Sequence, residues 1–180
     1  MLASQLEIIE QGIDYLESVS NDDYIAIISP NFISSAGAHM RHIIDHYQAI
    51  ISGFNYQLID YDVRERGSKF ESSPRLAIDK FNAIADWIKQ LTEDKLNKQI
   101  TLATEVSVSN KNIQHVQTTV ARELVFAGSH AVHHYAMIAQ ISFAQKNLHP
   151  QSFGLAPATA TFLRQTSKQA SIEQQGNTIY

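Results

Sequence analysis

Gly37-Ala38-His39-Met40-Arg41-His42-Ile43-Ile44-Asp45-His46-Tyr47 places three histidines at i, i+3 and i+7. At about 100° per residue, a helix carries all three on one side, within roughly 60° of arc. Ile43, Tyr47, Ile50 and Phe54 form the adjoining apolar stripe, so the imidazoles stand at the edge of a core-facing surface. A matching stretch lies far along the chain: Ser129-His130-Ala131-Val132-His133-His134-Tyr135. If both stretches are helical and face each other, the chain is a helix bundle that gathers imidazoles in its interior.

The rest of the chain supports that frame. Leu6, Ile9, Ile13, Leu16 and Val19 recur at spacings of three and four, which predicts a first helix over 2–20 ended by Asn21-Asp22-Asp23. The second helix, 34–54, takes Ser34 or Ser35 as its N-cap. Residues 55–72 read as irregular. Ser73 as cap and Pro74 at the first helical position open a third helix with Ala77, Phe81, Ile84, Ile88 and Leu91 on one face. The period then changes. Ile100, Leu102, Thr104, Val106 and Val108 alternate with their neighbours, and Ile113, Val116 and Val120 follow the polar turn Ser109-Asn110-Lys111-Asn112, which predicts a β-hairpin. The fourth long helix, 119–146, sets Glu123, Phe126, Ala127, His134, Met137, Ile141 and Ala144 around His130. Pro150 and Gly154 break the chain before a short helix, 157–168. The expected fold is all-α: a four-helix bundle with a small β-hairpin before the fourth long helix and a short C-terminal helix. Residues 1–168 would form one domain and 169–180 a polar tail.

The 180 residues suffice for a sizeable core. A net charge of -4 lacks the basic footprint of nucleic-acid binding. The absence of cysteine excludes disulfides, thiolate metal ligands and a cysteine nucleophile. No apolar run approaches a membrane span, and the N-terminus lacks a signal-peptide pattern, so a cytoplasmic protein with no membrane partner is expected. No Gly-x-Ser-x-Gly elbow and no phosphate-binding Gly-Lys loop occurs. What stands out is histidine: of eight, six lie within 39–46 and 130–134.

Two histidines four apart on a helix can reach one ion, as His130 and His134 are spaced to do. A third imidazole from the second helix (His39, His42 or His46) would complete a three-ligand site with an open position for water or substrate. An all-nitrogen set suits zinc, nickel, copper or iron better than magnesium or calcium. Glu123, two turns before His130, is a candidate to orient a ligand or act as a base; a plain helix-start acid is the alternative. His46 and His133 are candidates for a fourth ligand or for support of the ligands. Asp45 falls off the histidine stripe and reads as exposed or salt-bridged. Arg64 and Arg66 are candidates to clamp an anionic substrate.

Ser35-Ala36-Gly37-Ala38-His39-Met40-Arg41-His42-Ile43-Ile44-Asp45-His46 resembles the second-helix motif of the DinB/YfiT-like family. Arg122-Glu123-Leu124-Val125-Phe126 with His130-Ala131-Val132-His133-His134-Tyr135 resembles its later helix, and Phe153-Gly154-Leu155-Ala156-Pro157 a short motif of one branch. The resemblance implies a four-helix bundle whose three-histidine site, His42, His130 and His134 here, holds a divalent transition metal, nickel or zinc above others. It further implies a metal-dependent enzyme acting on a small molecule, by hydrolysis or by transfer involving a low-molecular-weight thiol. The alternative is a non-catalytic metal-binding or stress-associated binding module. Tyr135-Ala136-Met137 stands where much of the family has Arg-Gly-Gln, so any pocket built from that triplet differs here. Ile44, Ile51 and Leu124 lie off the histidine stripes, and such outward apolar residues predict a homodimer.

Overall fold

A computed structural model describes residues 1–147, 150 and 152–176, with side chains described up to Ser167. In chain order the elements are α1 (Leu2–Ser18), α2 (Asn21–Ile25), α3 (Ala36–Tyr56), β1 (Leu58–Asp60), a 3-10 turn (Lys69–Glu71), α4 (Pro74–Lys89), α5 (Glu93–Leu96), β2 (Gln99–Glu105), β3 (Ile113–Thr119), α6 (Val120–Ala144) and α7 (Pro157–Gly176). The chain is mostly helical, with one small sheet.

The long helices begin where side-chain oxygens can satisfy their free N–H groups. Ser35 Oγ accepts from the Ala38 N–H, Ser73 Oγ from Leu76 with Pro74 just inside, and Thr119 Oγ1 from Arg122. Asn21-Asp22-Asp23 does not merely end α1; capped by Ser20, it starts the separate short helix α2. Helix α1 packs on α4 and α6, and α3 packs on the same two. Their shared core includes Ile9, Met40, Ile43, Tyr47, Phe81, Ile84, Ile88, Ala131 and Ile138. Three of its buried tyrosines are satisfied: Tyr24 donates to the Phe70 carbonyl, Tyr47 to Gln5 Oε1 and Tyr135 to the Ile8 carbonyl.

Two expectations need correction. The sheet is not a simple hairpin. Strands β2 and β3 do pair antiparallel, Gln99 opposite Thr119 through Glu105 opposite Ile113. A third strand, β1, lies parallel to β2 with Leu58, Ile59 and Asp60 facing Thr101, Leu102 and Ala103. Three residues show no period, so β1 exists only through its partner's ladder. It runs close beneath α3: a Cβ on Gly53 would collide with Ile59 Cγ1. Second, Ile44 and Leu124 do not face outward; both are fully buried, and Ile51 is half-buried. The ring of neighbours around α3 and α6 is wider than a single stripe, because the sheet and the 3-10 turn cover faces that two helices alone would leave open.

Helix α7 continues past the expected 168 to Gly176, taking in most of the presumed tail, and carries Phe162 and Leu163 exposed. Before it, Phe153 stacks on Tyr15 and on Tyr135, with ring centroids 5.3 and 5.2 Å apart. Gly154 follows in the left-handed region (φ 72°), where a Cβ would strike the α6 backbone at Tyr135–Ala136. The Phe-Gly pair therefore pins the return of the chain to α1 and α6. Among the described residues no helix is long and apolar enough to cross a membrane.

Candidate metal centre

Helices α3 and α6 face each other, and the two histidine stretches meet there. His130 Nε2 lies 2.9 Å from His42 Nε2 and 3.1 Å from His134 Nε2. The ligand nitrogens of His42, His46 and His130 all fall within 4.8 Å of one another, a three-histidine group able to hold a metal ion. In a tetrahedral site with metal–nitrogen bonds of about 2.0–2.1 Å, ligand nitrogens stand about 3.3 Å apart. The observed spacing is close to that, so small side-chain adjustments suffice.

The tautomer of His46 is set by its neighbour. His46 Nδ1 lies 2.9 Å from the His42 carbonyl, which can only accept, so Nδ1 carries the proton and Nε2 keeps its lone pair for the cluster. His134 Nδ1 lies 2.8 Å from His39 Nδ1, one of the two donating and the other accepting. Each arrangement resembles the outer partner that a metal-bound imidazole usually has. Burial, helped by the neighbouring imidazoles, lowers the pKa of His42 to about 3, His130 to about 4 and His134 to about 2; Arg64 adds to the effect on His42 and His130. Burial lowers His39 and His46 as well. At neutral pH the whole group is uncharged, the form that donates to a metal.

The remaining candidates separate. His133 is exposed, its ring 6.4 Å from that of His130 and 5.5 Å from that of His134. Glu123 is fully buried but turned from the histidines: it accepts from Tyr61 Oη (2.6 Å), Thr118 Oγ1 (2.6 Å) and Arg122 Nη1 (2.8 Å). With both oxygens engaged it is tied into the frame and is not an imidazole's acceptor. Asp45 is buried, 3.6 Å from Arg41 Nε; burial raises its pKa, while Arg41 and the Glu65 backbone N–H oppose the rise. Tyr61 was not legible as a site residue. It is buried, stacked on His46 with centroids 4.9 Å apart, and joins the centre to Glu123. Nothing in the 55–72 segment has a period that would reveal it; the contact arises only when that segment folds over α3. His115 is exposed on β3, and His149 lies outside the described residues.

Helices that bring imidazoles from two facing stretches into one half-buried cluster define a class of helical proteins with a histidine group able to hold a metal ion. Within that class the family is settled by comparison. The model of the DinB family matches residues 7–144, and the chain belongs to the DinB family. The fold is similar to the crystal structure of a DinB-like protein, YjoA, from Bacillus subtilis, with a TM-score of 0.57 at 17% identity, covering 84% of this chain and 96% of that one. A curated relative, FK506-binding protein 5 of Rhizopus delemar, is 23% identical over 163 residues. The match takes in 91% of this chain but spans only 38% of that relative's length.

Proposed function

We propose that this chain is a metal-dependent enzyme acting on a small molecule, built as a DinB-type four-helix bundle of α1, α3, α4 and α6. The supporting observation is the convergence of imidazole nitrogens between α3 and α6. His42, His130 and His134 would hold one divalent transition ion, zinc or nickel, through Nε2, and His46 is oriented to join them. Such an ion supplies a Lewis acid beside a position left for substrate, which suits hydrolysis of a small ester or amide or transfer to a small thiol. The chain's own part is to keep the imidazoles neutral by burial, to fix the tautomer of His46 through the His42 carbonyl, to orient His134 through His39, and to hold Tyr61 against His46 through Glu123. A non-catalytic metal-binding module is the second reading, favoured by the number of imidazoles in reach: four protein ligands would close the shell. Elemental analysis of untagged protein, with a screen of thiol transfer and ester hydrolysis on the loaded form, separates the two. Metal uptake with no turnover favours the second reading, and the absence of uptake ends both.

A homodimer belongs to the same proposal, on residues other than those first expected. Val125 and Phe143, exposed on α6, with Phe162 and Leu163 on α7, are apolar surface of the kind that pairs. Light scattering at tens of micromolar should give twice the chain mass; a monomer counts against it.

A further inference from the structure

We propose that the open edge of β3 pairs antiparallel with the same edge of a second copy of this chain, joining the two sheets into one. This rests on the homodimer reading above and gives that dimer its contact. The sheet runs in the order β1-β2-β3, so its two outer strands are β1 and β3. The β1 edge is blunted: the strand is three residues long and carries Asp60, whose Oδ1 accepts from the Asp62 N–H as the chain turns away. The β3 edge has no such protection. It is seven residues long, Ile113–Thr119, and Ile113 to Gln117 are all exposed. Its register against β2 runs without a bulge from end to end. No proline, lysine, arginine or carboxylate occurs in it. These are the devices that keep a free edge from pairing, and β3 lacks each of them.

The ladder tells which backbone groups face outward. The Val106 N–H donates to the Asn112 carbonyl, and the Val120 N–H to the Lys98 carbonyl. Bonded and non-bonded pairs alternate along an antiparallel ladder. Counting inward from those two bonds in the observed register, Gln114, Val116 and Thr118 turn their N–H and C=O groups to β2. Ile113, His115 and Gln117 therefore turn theirs to the open side. A two-fold axis at Val116 sets His115 of each copy opposite Gln117 of the other, and these residues can exchange about four hydrogen bonds. Val116 then meets its own copy in a non-bonded pair, where Cα atoms approach to about 4.5 Å. Val116 is 49% exposed in one chain and stands opposite Leu102, which is buried. The valine pair thus continues the inward apolar row of the sheet.

Charge and closure favour a second copy as the occupant. From Asn112 to Ala121 the chain holds no lysine, arginine, aspartate or glutamate, so self-pairing sets no like charges opposite each other. An acidic or basic segment from another protein would find no counter-charge along this edge. The pairing is also self-limiting. It uses the β3 edge of both copies, and the edges left outside are the two blunted β1 strands, so growth stops at two. Helix α6 starts directly after β3 at Val120, which puts its exposed Val125 within two turns of the paired edge. The sheet contact is therefore continuous with the apolar helix surface named above.

The test is a charge swap on the full-length protein, read by light scattering. One double variant combines His115→Lys with Gln117→Lys, the other His115→Glu with Gln117→Glu; all four changes fall on exposed side chains. Each double variant alone sets like charges opposite each other and should run as a monomer. An equal mixture of the two should return to twice the chain mass. A second measurement needs no substitution. In the parent protein the His115 and Gln117 amides should exchange about tenfold more slowly at tens of micromolar than at high dilution, while those of Gln114 and Val116, bonded to β2, change little. A parent dimer that both double variants keep, or that is broken by Phe143→Asp and not by them, overturns the β3 contact and leaves the homodimer reading standing. Exchange at His115 and Gln117 that is independent of concentration in a dimeric parent also overturns it. A parent that stays monomeric overturns the homodimer reading and the proposal with it.

Discussion

Lowering the pH from 7 to 5 should destabilise the metal-free protein sharply, because the histidine cluster folds only in its neutral form. An unfolded chain titrates each imidazole near about 6.5. In the folded chain burial holds His42 at about 3, His130 at about 4 and His134 at about 2. Between these limits the unfolded state binds protons that the folded state refuses. Stability therefore rises with pH in this window: it is fully present above about 6.5 and is lost as pH falls toward the folded values. At pH 5 the chain is about 1.5 units below the unfolded pKa, and at about 1.36 kcal/mol per unit each imidazole costs about 2 kcal/mol. Three would cost about 6 kcal/mol; solvent screening of a partly exposed cluster reduces this to about 3 kcal/mol. That is a large share of the 5–15 kcal/mol typical of a domain. Urea unfolding followed by circular dichroism at pH 7, 6 and 5 measures it. With a slope of about 2 kcal/mol/M the midpoint should fall by roughly 1.5 M. Coincident midpoints at pH 7 and 5 would refute the reasoning. The same pKa values bear on metal binding. Since the folded site is already neutral, zinc affinity of the folded protein should stay level to about pH 5 and drop only near pH 4.

His134→Ala should weaken zinc and nickel binding by more than the roughly 10–100-fold that a supporting residue costs, whereas His133→Ala, at an exposed ring, should leave it near the parent value in calorimetric titration; equal affinities for parent and His134→Ala would move the site elsewhere. Glu123→Gln puts an NH2 group among donors that need an acceptor, and should cost about 1–3 kcal/mol in denaturant midpoint; a neutral result would mean that the Tyr61 and Thr118 bonds carry no weight. Gly53→Ala forces a methyl into Ile59 and should cost about 1–3 kcal/mol by thermal melting, with no loss expected if β1 is free to move away from α3.

The long helices were determined by sequence alone because their information is local. A 3.6-residue period, a serine or threonine cap and a proline at the first position act within one turn, so α3, α4 and α6 appear within a few residues of where they were expected. The alternation of β2 is local in the same way. The two histidine stretches were legible as stripes, and helix order made their meeting an expectation. What sequence could not supply was everything fixed by distant partners. Strand β1 is three residues defined by a neighbour some forty positions on. Ile44 and Leu124 looked outward on helical wheels but are covered by segments with no period of their own. Glu123 had the spacing to serve His130, yet Tyr61 and Thr118 claim its oxygens. Tyr61 reaches the centre from an irregular loop that is tied down where Gly67 meets Glu71, itself held by Arg41. A helix repeats its own geometry, whereas a loop takes its shape from contacts made across the fold, and those exist only once the helices have packed.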